Sequence, residues 1–162
     1  MHRPRTYAVP MPADSVPPRL LPRVDFSDAY AVRLPPHADT DPAEWAERIF
    51  RSPPAWIRYA LGLRDTLVGV LGLKTNDLQA ATPFPELDRT EREVVYGLDD
   101  RHLDFRAGIH LQRTDDGVQV AIITVVHHHN LFRRLYFLPV RWVHPLIIRS
   151  MLRRAAAEHR AP

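Results

Sequence analysis

The stretch LDFRAGIHLQRTDDGVQVAIITVVHHH, from Leu103 to His129, decides the fold. Its first part alternates, with Leu103, Phe105, Ala107, Ile109 and Leu111 set against Asp104, Arg106, Gly108 and His110. Period-two alternation places each set on one face of a β-strand. Asp115-Asp116-Gly117 then marks a hairpin turn, because an aspartate–glycine pair tolerates the backbone angles a tight reversal needs. A second strand, Val118 to His128, puts Val118, Val120, Ile122, Thr124, Val126 and His128 on one face. Gln119, Ala121, Ile123, Val125, His127 and His129 take the other. Two long strands joined by a tight turn predict an antiparallel sheet.

Working upstream, Glu93 to Leu98 is a further strand, and residues 74–91 are polar and proline-bearing, a loop with room for an edge strand. Val24 to Leu34 alternates too, with Phe26, Tyr30, Val32 and Leu34 opposite Ser27, Ala29, Ala31 and Arg33. Asp28 interrupts the apolar face, and Pro35-Pro36 ends the strand. Asp41-Pro42-Ala43-Glu44 predicts a helix start, with an aspartate cap, a proline where its missing donor costs nothing, and a glutamate to close a capping box. Trp45 and Ile49 share a face of that helix. Ser52-Pro53-Pro54 ends it and opens a second helix to about Gly72, with Trp56, Ala60, Leu63, Leu67, Val70 and Leu71 as its stripe.

Downstream, a last helix is expected from Leu131 or Val140 to Glu158. Trp142, Leu146, Ile147, Ser150 and Met151 are its expected buried stripe, with Arg141, Arg149, Arg153 and Arg160 in solvent. Pro139 and Pro145 imply a break or kink near its start. The order of elements predicts an α+β fold in which a curved antiparallel sheet wraps the long C-terminal helix, the helix-grip arrangement. Residues 1–23 hold six of the 16 prolines, at positions 4, 10, 12, 17, 18 and 22. Proline at that density opposes regular pairing, so 1–23 reads as an extended arm anchored by Leu20 and Leu21, and 24–162 as a single helix-grip domain.

The totals limit the function. No cysteine is present among 162 residues, which excludes disulfides, thiolate metal sites and a cysteine nucleophile. The first residues, Met1-His2-Arg3-Pro4-Arg5, lack the apolar core of a signal peptide. The apolar stretch Leu135 to Ile148 is interrupted by Pro139, Arg141, His144 and Pro145 and is too short to span a bilayer. A soluble, cytoplasmic protein is the expectation. Net charge is +3, with +3 over residues 1–23, −6 over 24–130 and +6 over 131–162. The basic end is a solvated helix face or, alternatively, a surface for an acidic partner or membrane. No nucleophile elbow, phosphate loop, dinucleotide fingerprint or zinc-finger spacing is found, and no basic-aromatic motif for nucleic acid.

Trp56 and Leu63-Arg64-Asp65, then His102-Leu103-Asp104-Phe105-Arg106, begin a series of short motifs. Thr124-Val125, Asn130-Leu131-Phe132-Arg133-Arg134-Leu135-Tyr136, Pro139 and His144 complete it. In order and spacing these resemble a bacterial family catalogued as a domain of unknown function, number 2867, over about residues 24–155. Arg133 stands where that family commonly has glycine. The resemblance implies a START and plant-allergen type of fold, whose members bind apolar ligands or act as cyclases. The family also occurs joined to dehydrogenase-like domains.

Three sets of residues could carry chemistry. His127 and His129 share a strand face at a spacing that can place two imidazoles on one metal, with His110 as a third ligand. Histidines at a strand end more commonly face solvent, and no metal is expected. His102, Asp104 and Arg106 point to one face, where a histidine–carboxylate pair could perform acid–base work if it lined a cavity. On a solvated face the same row would be a cross-strand ion pair worth little. Asn130, Arg134 and Tyr136 lie where the last strand passes into the helix, the asparagine as a cap and the other two at a cavity mouth. His144, on the helix with Trp142 and Ile147, reads as a satisfied core histidine.

The leading expectation is a domain binding a small apolar ligand under the last helix, oriented by Arg106, Arg134, Tyr136, Asn130 and Trp56 with His102 and Asp104. A cofactor-free cyclase or dehydratase using His102 and Asp104 is the first alternative. An interaction or membrane-surface module built on the arginine-rich helix is the second. No cofactor is expected. The partners left open are the apolar ligand, a second copy of the chain or a dehydrogenase-like protein.

Overall fold

The computed structural model describes residues 4–51, 84–99, 103–129 and 131–159, with the side chains of 131–140 outside that description. The second helix expected after Ser52 lies outside the described residues. Six strands form one antiparallel sheet: β1 (Thr6–Ala8), β2 (Phe26–Leu34), β3 (Glu86–Arg89), β4 (Glu93–Asp99), β5 (Leu103–Thr114) and β6 (Gly117–His128). Their order is β1-β2-β6-β5-β4-β3, so the first long strand lies beside the last. Among the described residues two helices accompany them, α1 (Pro42–Arg51) and α2 (Leu131–His159). This is an α+β fold with one sheet and a long C-terminal helix.

The β5–β6 hairpin forms as the sequence predicts, in register from Leu103↔His128 to Thr114↔Gly117. The turn proper is Asp115-Asp116, and the strained backbone falls on Gly117, at φ 148°. A Cβ there would sit 2.1 Å from the Leu34 carbonyl oxygen, so only glycine fits. Asp41 caps α1 as expected, Oδ1 accepting from Ala43 N at 2.8 Å. The reciprocal half of the capping box does not form. Asp39 Oδ1 accepts from Asp41 N at 3.0 Å, while Glu44 is drawn to Arg48 at 3.1 Å.

One face of the sheet carries the main core. Val32, Leu34, Val94, Ile109, Leu111, Val118, Val120 and Ile122 pack against Trp45, Ala46 and Ile49 of α1 and Ile148, Met151, Leu152, Ala155 and Ala156 of α2. Burying each large aliphatic stabilises the fold by about 1.5–3 kcal/mol relative to leaving it exposed. The buried stripe of α2 differs from the expected one. Met151 belongs to it and Ile147 is half-buried, but Trp142 is 79% and Leu146 58% exposed. The sheet is met by the C-terminal half of α2, where Ala155 and Ala156 permit close approach, so the contact stripe rotates toward Ile148 and Leu152. The helix continues through both Pro139 and Pro145.

The opposite face is covered as well, by the N-terminal segment. Here β1 pairs with β2, and Leu21 is buried with Ala29, Ile123 and Val125 beside Val9 and Met11. A short 3-10 turn, Pro17–Leu20, lies over β5 and β6. Pro17 reaches Gly108, where an added Cβ would come within 2.7 Å of its Cγ. The proline-rich stretch is thus a strap on the sheet, with three residues in ladder pairing. Among the described residues, no helix is long and apolar enough to cross a membrane.

Candidate functional site

The helix-side face of the sheet changes character along its length. Beyond Val32 and Ile122 its apolar rows give way to Asp28, Thr124 and His128, with Phe26, Phe105 and Phe84 around them. Strand alternation carries Asp28 to this face, because it shares parity with Tyr30, Val32 and Leu34. Asp28 stands opposite Thr124, which is buried. His144 of α2 comes down on this point, its Nδ1 2.9 Å from Asp28 Oδ2. The two side chains are 12% (Asp28) and 18% (His144) exposed. The Phe26 ring meets the His144 ring edge-on, with centroids 6.3 Å apart.

Asp28 Oδ2 is therefore satisfied, but Oδ1 is buried with no hydrogen-bond partner among the described residues. Leaving a carboxylate oxygen dry and unpaired is costly. Tyr30, two residues on, has its hydroxyl pKa pushed up by burial, with the Asp28 charge adding to the rise and Arg149 opposing it. The result is a polar end to an otherwise apolar layer. A carboxylate holding an imidazole by one nitrogen also fixes the ring for proton transfer at the other.

Asp104 and Arg106 lie on the opposite face. Their strand partners are His127 and Val125, and Val125 belongs to the layer under the strap. The pair therefore does not line the space between sheet and α2, which corrects the placement on which the acid–base role of Asp104 depended. Asp104 Oδ2 is 2.8 Å from His129 Nε2. Arg106 Nη1 is 2.7 Å from the exposed Asp99 carboxylate and donates to the Phe105 carbonyl at 2.9 Å. His102, Asn130 and Trp56 lie outside the described residues, and Arg134 and Tyr136 lie in the first turns of α2, where side chains are not described.

His127 and His129 share a face as expected, with ring centroids 5.4 Å apart. Each is turned to its own carboxylate, His127 to the buried Asp25 at 3.0 Å and His129 to Asp104. His110 pairs in register six residues further along β5 than Asp104, about 20 Å away along the strand. Among the described residues, no group of three or more such side chains could hold a metal ion.

His110 belongs to a different cluster under the strap. Glu93 is buried, and its carboxylate accepts from Val16 N at 2.8 Å and Ser15 Oγ at 3.2 Å. Burial pushes its pKa up, only partly opposed by those hydrogen bonds and by His110. Asp14 Oδ1 is 3.5 Å from His110 Nε2, and neither ring nitrogen has an aligned hydrogen-bond partner among the described residues. An open pocket of about 310 Å³ lies beside them, lined by Asp14, Thr90, Glu91, Arg92, Glu93 and His110.

His144, expected as a satisfied core histidine, is half-buried and satisfied by Asp28, whereas Asp28 and Glu93 were not among the expected site residues. The signal for Asp28 was present: a lone acid on an apolar strand face must find a partner. That its partner would come from α2, 116 residues away, is a tertiary fact.

The described architecture is that of an α+β domain with one sheet covered on both faces, by helices on one and by its own N-terminal strap on the other. Residues 20–151 match the model of the family described as "Protein of unknown function (DUF2867)", and the chain belongs to that family. No curated protein and no solved structure matches it.

Proposed function

We propose that this chain is a helix-grip domain of the cytoplasm that binds a small, largely apolar molecule between the sheet and α2. The connectivity supports the fold: β2 lies beside β6, the strands between them in sequence run on as a meander, and α2 packs on the face of β2 and β6. The observation that carries the binding reading is the half-buried Asp28 carboxylate at the polar end of that layer, whose buried Oδ1 has no hydrogen-bond partner among the described residues. A ligand that is mostly apolar and bears one hydrogen-bond donor would satisfy it.

A matched pair of probes tests this by calorimetric titration: 1-naphthol, which has a donor, and naphthalene, which has none. The hydroxyl is expected to tighten binding about tenfold, as hydrogen bonds to charged groups do, and Asp28→Ala is expected to abolish the difference. Binding of neither probe, or an unchanged preference in Asp28→Ala, overturns the reading.

A cofactor-free acid–base enzyme is a second reading, and the same 2.9 Å contact favours it by orienting the His144 ring. Its acid–base pair is then Asp28 and His144. Turnover of a cyclisable or dehydratable substrate that is lost in His144→Asn while binding persists would select it. Equal turnover in that variant would remove it.

A further inference from the structure

α2 presents a surface that the ligand reading does not use. Trp142 is 79% exposed, Leu146 58% and Val143 42%. Trp142, Leu146, Arg149 and Arg153 follow one another at intervals of four, three and four residues, which places them along one side of the helix. The stripe runs from apolar to basic over about 16 Å.

The two arginines converge on the edge of the sheet. Arg149 and Arg153 each donate from Nε to Thr6 Oγ1 at 3.2 Å, and Arg149 Nη2 donates to the Thr6 carbonyl at 3.1 Å. These acceptors are neutral. Neither guanidinium meets a carboxylate among the described residues, whereas Arg154, on another side of the helix, pairs with Glu158. Two cations held close together without a counter-charge favour an anion. Arg141 precedes Trp142 and is exposed on the flank of the stripe, about 100° round the helix, and residues 131–162 carry a net +6.

We propose that this side of α2 docks the protein on an anionic lipid surface, with Trp142 and Leu146 entering the headgroup–acyl boundary, Arg149 and Arg153 facing lipid phosphates, and Arg141 reaching them from the flank. Tryptophan suits that boundary because its ring is apolar and its N–H can stay hydrated. An amphipathic helix lying in the plane of the interface needs no membrane-crossing segment. A free phosphate would use the arginines alone and leave Trp142 in water, so the exposed apolar residues select the lipid surface. Docking in this way requires no ligand under α2.

Co-sedimentation of the full chain with vesicles tests it, using phosphatidylcholine alone and phosphatidylcholine with 30% phosphatidylglycerol. Binding to the anionic vesicles is expected to exceed binding to the neutral ones by at least tenfold and to fall with added salt. Arg141→Gln, at an exposed position, is expected to weaken it about fivefold. Trp142→Ala with Leu146→Ser is expected to abolish it with the circular dichroism spectrum intact, since both side chains are exposed in the folded chain. Inorganic phosphate at millimolar concentration is expected to compete weakly at most. Failure to bind anionic vesicles, or binding unchanged by the Trp142/Leu146 double substitution, overturns the proposal. So does a dimer in analytical ultracentrifugation that the same double substitution dissolves, because the stripe would then be a protein interface.

Discussion

The two faces of the sheet are both buried, by opposite means. The helix-side face uses large side chains, Leu34, Ile109 and Ile122, closed by Trp45, Ile49 and Leu152. The strap side mixes Val95, Ile123 and Val125 with small residues, Ala29, Ala31, Ala121 and Gly108, and closes over them with a proline-rich segment tied down by a buried carboxylate. A helix brings a continuous stripe and satisfies its own backbone. An irregular strap does not, so its backbone must borrow acceptors from the sheet. Glu93 supplies that acceptor for Val16, and Gly108 supplies the space for it.

The contrast predicts unequal losses. Trp45→Ala is expected to cost about 3–5 kcal/mol in urea denaturation, the range for emptying a large aromatic site in a packed core. Leu21→Ala on the strap side should cost clearly less, since its layer is thinner and rims on solvent. Equal losses would mean that the strap belongs to the same cooperative core.

Gly108→Ala is expected to cost about 1–3 kcal/mol. Its Cβ would meet the Glu93 carboxylate at 2.4 Å and Pro17 Cγ at 2.7 Å, so the strap must lift. Limited proteolysis should then cut within residues 9–22 while hydrogen exchange of β5 and β6 stays slow. Protection lost throughout the sheet would break the separation between the faces.

The smallest effect is one of pH. Burial raises the Glu93 pKa in the folded chain, so the native state holds that proton more tightly than the unfolded chain. Its contribution is fully favourable below the ordinary glutamate value near 4.3 and is lost as pH rises through the raised folded value. Glu93→Gln should remove this fall, leaving a flatter stability profile across that window, while the side-chain carbonyl still accepts from Val16. An identical slope in the variant and the parent would show that Glu93 is not the group responsible.

Much of the sheet was legible because its signals are local. The Asp115-Asp116-Gly117 turn, the β5 and β6 alternation and the Asp41 cap each act within a few residues, and each is found where expected. Alternation says which residues share a face, and it grouped Asp104 with Arg106 correctly. It cannot say which face a distant helix will cover. In this chain both faces are buried, so the apolar-against-polar contrast that names the core face is blurred, as Ile123 and Val125 on the strap side illustrate.

The buried stripe of α2 is not legible for a similar reason. Its apolar residues occur nearly all around the helix, so periodicity leaves its rotation undetermined. The small residues Ala155 and Ala156 settle it, through close packing that no hydrophobicity count rewards.

By itself the sequence determined the α+β class, the hairpin, the cap and the residues on each strand face, because turn chemistry, period two and capping are properties of neighbouring residues. Only the tertiary structure decided that a proline-rich arm covers the second face. It alone set Asp28 against His144, and it left Trp142 and Leu146 outside. Those outcomes depend on which surfaces meet across more than a hundred residues of chain, where the free energy of packing decides and local preference is silent.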